Sequence, residues 1–483
     1  MAVEPKDPSI GADEWVARQE GRREYAPGLR GEAQRRLERV GWWPWLVAAA
    51  AIGALIPQLG LNDFQLQIGI NALILATLAV GLNIAVGWAG LLDLGYIAFY
   101  GVGAYGYALL SSNQLNPPAG IHLPAIVTIP IVMVAAGILG VLVGLPSRRL
   151  IGDYLAIITL FFGEAFVEFV NNVAPTKLGG PNGIFALDPI HAFGHSITTN
   201  KGYFYLMLIL LVLTIIVLHL LDTARTGRAW RTVREDSLAA SLMTVPVFRV
   251  KLMAFAFGAM VAAMTGTVFA AQQSNVFPTN FSTEFLILIY AALILGGVGS
   301  IAGAVVGAVL VEVVYDGFLR STTEAGYIFY GVILLTLVVK LRPWRRLALV
   351  LGGTVALGLA VHAIAKAIDA SWVAAGPQSS GWIASVLRDW VVVPAGKGGA
   401  IPTQGGNIAF VLLICLVIVL VQVRDKWRTI LLIPTLYLAA VVWEWRLVGN
   451  PSITRLILIG AILIVVMNAR PQGLLGSRRV EVV

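Results

Sequence analysis

The sequence predicts an all-α, polytopic helical membrane protein, and three observations carry that prediction. Of 483 residues, 58% are hydrophobic and only 12% charged, about half the charged share usual in soluble domains. Apolar runs of 17 or more residues recur between residues 45 and 469; about 20 such residues, at 1.5 Å each, cross a ~30 Å hydrocarbon core. The short alternating segments of a membrane β-barrel are absent.

A polar, charged tail over residues 1–41 comes first. Apolar spans then fall at 42–60, 66–86, 94–112, 123–145, 154–172, 203–221, 250–271, 284–298, 300–319 and 327–341, a core of about ten. About four more follow at 347–367, 406–423, 429–445 and 453–469. The 284–298 span is short for a crossing. No cleavable leader precedes the first span, which is expected to act as the targeting signal and stay in place. The single cysteine, Cys415, excludes an intramolecular disulfide.

The formal net charge of +8 fits basic loops kept on one side of a bilayer rather than nucleic-acid binding. With the tail inside, the inside loops hold Arg148 and Arg149, Arg225 to Arg249, Lys340 to Arg346, Arg424 to Arg428 and Arg470 to Arg479. The outside loops at 113–122, 173–202, 272–283 and 368–405 hold only Lys177, Lys201, Arg388 and Lys397. This alternation predicts both termini in the cytoplasm.

Three features carry further information, although ordinary bundle packing explains most of the glycines among them. First, residues 226–249 are charged and helix-friendly between apolar spans. Trp230, Val233, Ser237, Ala240 and Thr244 follow helical spacing and predict one flat face. Arg231, Arg234 and Glu235 surround Leu238 and Leu242 on the other, with Arg231 and Glu235 paired at i, i+4, and Pro246 closes the segment. Such a helix lies on a membrane, docks in a partner's groove, or is a solvated loop helix. Second, Gly299, Gly303 and Gly307 have the small-xxx-small spacing that lets membrane helices approach closely. Third, Asn83, Asp93, Asp153, Glu164, Glu168 and Glu312 lie in or at the rim of spans. A carboxylate there costs ~2.5–3.5 kcal/mol on insertion scales and marks a cavity, an interior contact or an interface. Asn83, Asp93, Glu164 and Glu168 are the candidates for a solute path, the two glutamates sharing a face at i, i+4.

Soluble chemistry is missing. No GxxxxGK[ST] phosphate cradle occurs, no nucleophile elbow or triad spacing is present, and no cofactor is implied. His191 and His195 are four apart without further ligands nearby, so no metal site is expected. The sequence points to no enzyme.

Several segments together resemble the inner-membrane permeases of branched-chain amino acid ABC importers, the LivM type. They are GLNIAVGWAGLLDLGYIAFYGVGAY (81–105), RLIGDYLAIITL (149–160), LGGPNGI (178–184), the stretch 228–270, LGGVGSIAGAVVGA (295–308) and RPQGLLG (470–476). The resemblance runs over roughly 60–341 in order and returns at 453–476. It implies a permease core over 42–343 with a coupling loop at 222–249, and an external turn built on Gly179, Gly180, Asn182 and Gly183. It also implies that the charged loop is a coupling helix docked on a cytoplasmic ATPase, with Glu235, Ala239 and Ala240 as its Glu-Ala-Ala-like centre beside Arg231 and Arg234. Thr244 stands where the family usually has Gly. Residues 344–452, with the outside loop 368–405, form an extra module between the core and the final span at 453–483. The segments GVILLTLVVKLRP (331–343) and GAILIVVMNARP (460–471) echo each other, either because a final span needs a basic stop or because 344–452 interrupts or extends an older C-terminus.

The resemblance implies partners: a second related permease, two ATPase subunits, a periplasmic substrate-binding protein and the bilayer, with no nucleic acid. It implies branched-chain amino acids as cargo. Urea or short amides are the alternative cargo, since their importers resemble the same family. A proton-coupled secondary transporter using Glu164 and Glu168 is the alternative class, and a membrane-bound enzyme a distant third.

Overall fold

The computed structural model describes residues 42–111, 123–148, 152–172, 178–185, 187–192, 195–320, 322–341, 344–374, 376, 382–394, 403–423, 425–447 and 451–476. The expected tail at 1–41, the loop at 113–122, Arg149, Lys177, Lys397, Arg424 and Arg479 lie outside them. The chain divides into two compact units, one ending at Gly60 and one spanning Leu61–Val483. In the first, α1 (Trp42–Leu55) is apolar throughout and pairs the rings of Trp42 and Trp43 at 4.1 Å.

Among the described residues, the second unit is mostly helical. α2 (Asp63–Asn83) starts where the Asn62 N–H donates to the Gln65 side chain at 3.2 Å, satisfying one of the four orphan donors of a helix start. It runs into a wider π-type turn over Ile84–Trp88. Then come α3 (Tyr96–Ser111), α4 (Ala125–Gly144), α5 (Asp153–Asn172) and α6 (Asn200–Thr223). The charged segment is α7 (Arg225–Glu235) and α8 (Ser237–Leu242), and α9 (Val247–Gln273) follows Pro246. The core continues with α10 (Thr283–Gly296), α11 (Ile301–Glu312), a second wide turn over Val313–Phe318, and α12 (Thr322–Lys340). Beyond it lie α13 (Trp344–Ile368), α14 (Trp382–Leu387), α15 (Thr403–Gln422), α16 (Asp425–Val442) and α17 (Pro451–Ala469).

Among the described residues, eight helical stretches are long and apolar enough to cross a membrane, and three shorter apolar helices accompany them. The short 284–298 span gains length from the turn before it, giving a 19-residue stretch from Pro278 to Gly296. By contrast α1 and α3, at 14 and 16 residues, are below the ~20 residues of a straight crossing, and α5 carries Asp153, Glu164 and Glu168. α2 is the central element, with 83% of its apolar window buried, and α9 follows at 61%; α4, α6 and α13 bury only 22–28% and leave apolar faces outward.

α9 packs along α3 and α4, and α11 lies between α2 and α10. The close approach of α10 and α11 depends on Gly303 and Gly307, where an added Cβ would meet the carbonyls of Gly296 at 2.6 Å and Ala292 at 2.1 Å. Gly299, the third member of the spacing, serves in the turn ahead of α11 instead.

Two small strand pairs interrupt the helices. β1 (Ile184–Phe185) pairs antiparallel with β4 (Asn275–Val276), and β2 (Ile190–Ala192) with β3 (His195–Ile197). His191 and His195 stand opposite Ser196 and Ala192 in the latter. Among the described residues, no group of three His, Cys, Asp or Glu side chains could hold a metal ion.

The C-terminal helices have a small core of their own: Leu387, Val391, Val393, Tyr437 and Val441, with Trp390 and Trp445 packed on it. They meet α12 through Tyr330, which joins that cluster and donates to Glu444 at 3.3 Å, and through Phe329, which stacks on Trp443 at 4.3 Å. After α17 the chain returns to the core. The N–H groups of Leu474 and Leu475 donate to the carbonyls of Leu295 and Gly296 at 2.9 Å, so the 470–476 motif closes against the end of α10.

Candidate functional site

The charged segment is two helices, not one. Asp236 breaks it with extended backbone, and its carboxylate accepts from the N–H groups of Leu238 at 2.8 Å and Ala239 at 3.0 Å, capping α8. Trp230, Val233 and Ala240 are buried as the helical spacing predicts, whereas Ser237 and Thr244 are exposed. The break rotates α8, so a stripe laid out on one continuous helix misplaces the residues beyond it.

The expected Arg231–Glu235 pair is also corrected. Arg231 forms an ion pair with Asp222 and donates to the Asp222 carbonyl at 2.9 Å. The end of α6 offers a carboxylate and an unpaired helix carbonyl together, and an exposed i, i+4 contact contributes only about 0.3–0.5 kcal/mol. Glu235 and Ala239 face outward, and Leu238, Leu242 and Met243 are 72–79% exposed beside them. Arg234 turns inward instead.

The inward face of α7 is fastened to two core elements. Arg234 donates through Nη1 to the Gly87 carbonyl in the wide turn ending α2, a cation at a helix C-terminus. Trp230 stacks on Trp88 with centroids 6.0 Å apart and donates to the Val250 carbonyl at 2.8 Å. The Trp88 indole donates to the Gly299 carbonyl at 3.2 Å, and the Gly299 N–H donates to Asn83 Oδ1 at 2.8 Å. One knot therefore ties the charged segment to the C-terminal end of α2 and to the turn before α11.

Thr244 occupies the left-handed region at φ 62°, which a β-branched residue enters at a cost of about 1–2 kcal/mol. The turn between α8 and α9 keeps the shape a glycine would give it. Thr244→Gly is expected to raise stability by about 1 kcal/mol, read as a higher unfolding temperature in detergent; an unchanged or lower one contradicts the strain.

The four expected path residues are not brought together. Asn83 sits in the knot. Asp93 is buried and accepts the Gly95 N–H at 3.0 Å, while its carbonyl receives the Tyr290 hydroxyl at 2.7 Å, fixing the start of α3. Glu164 and Glu168 do share a face of α5, but it is the exposed one: Glu164 accepts from Thr283 and Glu168 from Asn172. The turn at Gly179, Gly180, Asn182 and Gly183 has positive φ at all three glycines. At Gly183 a Cβ would meet the Val276 carbonyl at 2.4 Å, so the turn can seat β1 beside β4 only with glycine there.

The bundle has a cavity of about 310 Å³ at the end opposite α7. Asn71 of α2 lines it, 17 residues from Trp88, roughly 25 Å of helix. Its polar wall holds Glu284, Glu312, Asp316 and Tyr315, and its apolar wall Tyr100, Phe269, Phe285 and Leu288. Asp316 pairs with Arg455 of α17 at 3.3 Å and accepts from Asn71 at 3.4 Å. The sequence marked Glu312 as a polar residue at depth but not as a path candidate; Asp316 and Arg455 carry no local signal, because their pairing spans 139 residues.

A central helix running from a polar cavity to a charged segment at the bundle's surface, inside a shell of outward-facing apolar helices, defines a multi-pass helical membrane protein. The family described as branched-chain amino acid transport system / permease component matches residues 65–338, more than half of the chain, and the chain belongs to that family. The high-affinity branched-chain amino acid transport system permease protein LivM of Escherichia coli (strain K12) is 33% identical over 327 residues, 63% of this chain and 70% of the relative. LivM of Salmonella typhimurium (strain LT2) is 32% identical over the same length and shares. The permease protein LivH of the same Salmonella strain is 26% identical over 287 residues, 55% of this chain and 88% of the relative. No solved structure matches the chain.

Proposed function

We propose that the chain is the transmembrane permease subunit of an ATP-driven importer for branched-chain amino acids. It sits in the bacterial inner membrane with both termini cytoplasmic, hydrolyses no ATP itself, and works with a second related permease, two cytoplasmic ATPase subunits and a periplasmic substrate-binding protein. Relatives named LivM and LivH both resemble this chain, which supports a paired permease. Residues 42–343 form the permease core, and 344–452 an added module.

One observation carries the coupling role. α7 and α8 hold Arg234 and Trp230 against the core while Glu235, Leu238, Ala239, Leu242 and Met243 face out. Exposed leucines beside charge on an inner loop suit a partner's groove. Movement imposed on that face reaches α2 and α11 through the knot. The proton-coupled alternative is not favoured, since Glu164 and Glu168 lie on an outer helix face.

Glu235→Arg, which places the wrong charge in the docking face, is expected to lower ATP-driven leucine uptake by the assembled importer about tenfold or more, a change of at least ~1.4 kcal/mol. The unfolding temperature of the isolated chain stays that of the parent, because Glu235 is exposed. Parental uptake by the variant, or uphill uptake by this chain alone under a pH gradient, refutes the role.

A further inference from the structure

We propose that an open groove between the start of α2 and the turn after α11 binds an anionic phospholipid, its phosphate paired with Arg320 and an acyl chain laid along apolar walls. The inference goes beyond the transport reading and does not depend on it.

The walls give the first ground. The groove lies at the end of α2 away from α7 and has a volume of about 650 Å³, about twice that of the Asn71 cavity. Leu61, Phe64 and Ile68 supply one wall, and Val313 and Phe318 of the second wide turn supply the other. Phe64 is 45% and Phe318 51% exposed. Both walls belong to stretches long and apolar enough to cross a membrane, Asp63–Trp88 and Ile301–Phe318. Leu61 and Arg320 stand just beyond those stretches, at the level where headgroups replace hydrocarbon.

The polar groups give the second ground, because they are donors. Arg320 is exposed, with its guanidinium 4.7 Å from the centre of the Phe64 ring. Among the described residues it makes no ion pair and no hydrogen bond. Resting one flat face on a ring leaves the N–H edge of a guanidinium open. Gln65 accepts the Asn62 N–H through Oε1, which leaves its amide N–H groups as further donors in the lining. Among the described residues no carboxylate lines the groove: Asp63 is outside the lining, and Asp316 is taken by Arg455 and Asn71.

The two grounds together select the occupant. A guanidinium fork fits a phosphate bidentately, and basic pockets between membrane helices hold anionic headgroups. A soluble anion would leave Phe64, Val313 and Phe318 without a partner, and a neutral lipid would leave Arg320 unpaired.

The test reads lipid retained by the full chain in detergent by native mass spectrometry. Phosphatidylglycerol is titrated in parallel with a diacylglycerol of the same acyl chains, and each is challenged with inorganic phosphate. Phosphatidylglycerol is expected to bind about tenfold more tightly than the diacylglycerol, the effect of one hydrogen bond between charged groups, and phosphate is not expected to displace it. Arg320→Ala is expected to raise the phosphatidylglycerol concentration for half-occupancy about tenfold, and Arg320→Lys, which keeps the charge without the fork, by less. Because Arg320 is exposed, the lipid-free unfolding temperature of Arg320→Ala stays that of the parent, while the upward shift that phosphatidylglycerol gives the parent shrinks. Arg345→Ala, at an exposed arginine outside the groove, keeps parental binding. Equal binding of the diacylglycerol, parental binding in Arg320→Ala, or displacement by phosphate overturns the lipid site. Parental dimers that exclude the lipid and dissociate in Arg320→Ala would give the groove to a second copy of the chain, and overturn it as well.

Discussion

Trp230→Ala is expected to destabilise the protein by about 3–5 kcal/mol, the cost of emptying a buried tryptophan site. The ring is 1% exposed, lies against Trp88, meets Phe257 edge-on at 6.2 Å and donates to the Val250 carbonyl. Truncation removes the apolar contacts and leaves a void where α7 joins α9. The loss is read as a lower unfolding temperature in detergent and as faster tryptic cleavage between Arg225 and Arg249. Leu238→Ala is the comparison, since Leu238 is 72% exposed and a surface change there stays within about 0.5 kcal/mol. Equal unfolding temperatures for the two variants would show that Trp230 does not anchor the segment.

Gly307→Val is expected to abolish the native contact between α10 and α11. A Cβ at residue 307 would lie 2.1 Å from the Ala292 carbonyl and 2.7 Å from the Gly296 nitrogen. Both are backbone atoms, which cannot rotate away, and no hydrophobic drive between helices in lipid offsets a lost close packing. Overpacking of this kind costs about 3 kcal/mol or more, and the yield of monodisperse protein falls with it. Gly331→Ala, on α12 with nothing within 4 Å of the added atom, keeps the parental yield. A monodisperse, thermally unchanged Gly307→Val protein would contradict the packing of these helices.

Periodic features of the fold were legible in the sequence, and features depending on distant partners were not. Apolar run lengths mark the helices well because a span is a local property. The charged segment stands out for the same reason, and burial of Trp230, Val233 and Ala240 follows from their spacing. The break at Asp236 had a local signal as well: an aspartate ahead of Ser-Leu-Ala-Ala is an N-cap pattern, outweighed by the longer stripe around it. The partner of Arg231 had no such signal, since Asp222 lies nine residues back, in the preceding helix. Spacing put Glu164 and Glu168 on one face but could not say which way that face points. The cavity was least legible, because α2, α3, α9, α10, α11 and α17 each contribute a part of it, and no one segment looks unusual alone.

α2 is wall of the cavity at Asn71 and seat of the Arg234 guanidinium at Gly87, with no connecting loop between the two. Thermodynamic reciprocity applies to such a rod: whatever free energy an occupant of the cavity would spend in preferring one position of the rod would return as an equal bias on the Arg234 contact. Binding in the cavity and binding at the α7 contact are then coupled by the same amount in both directions.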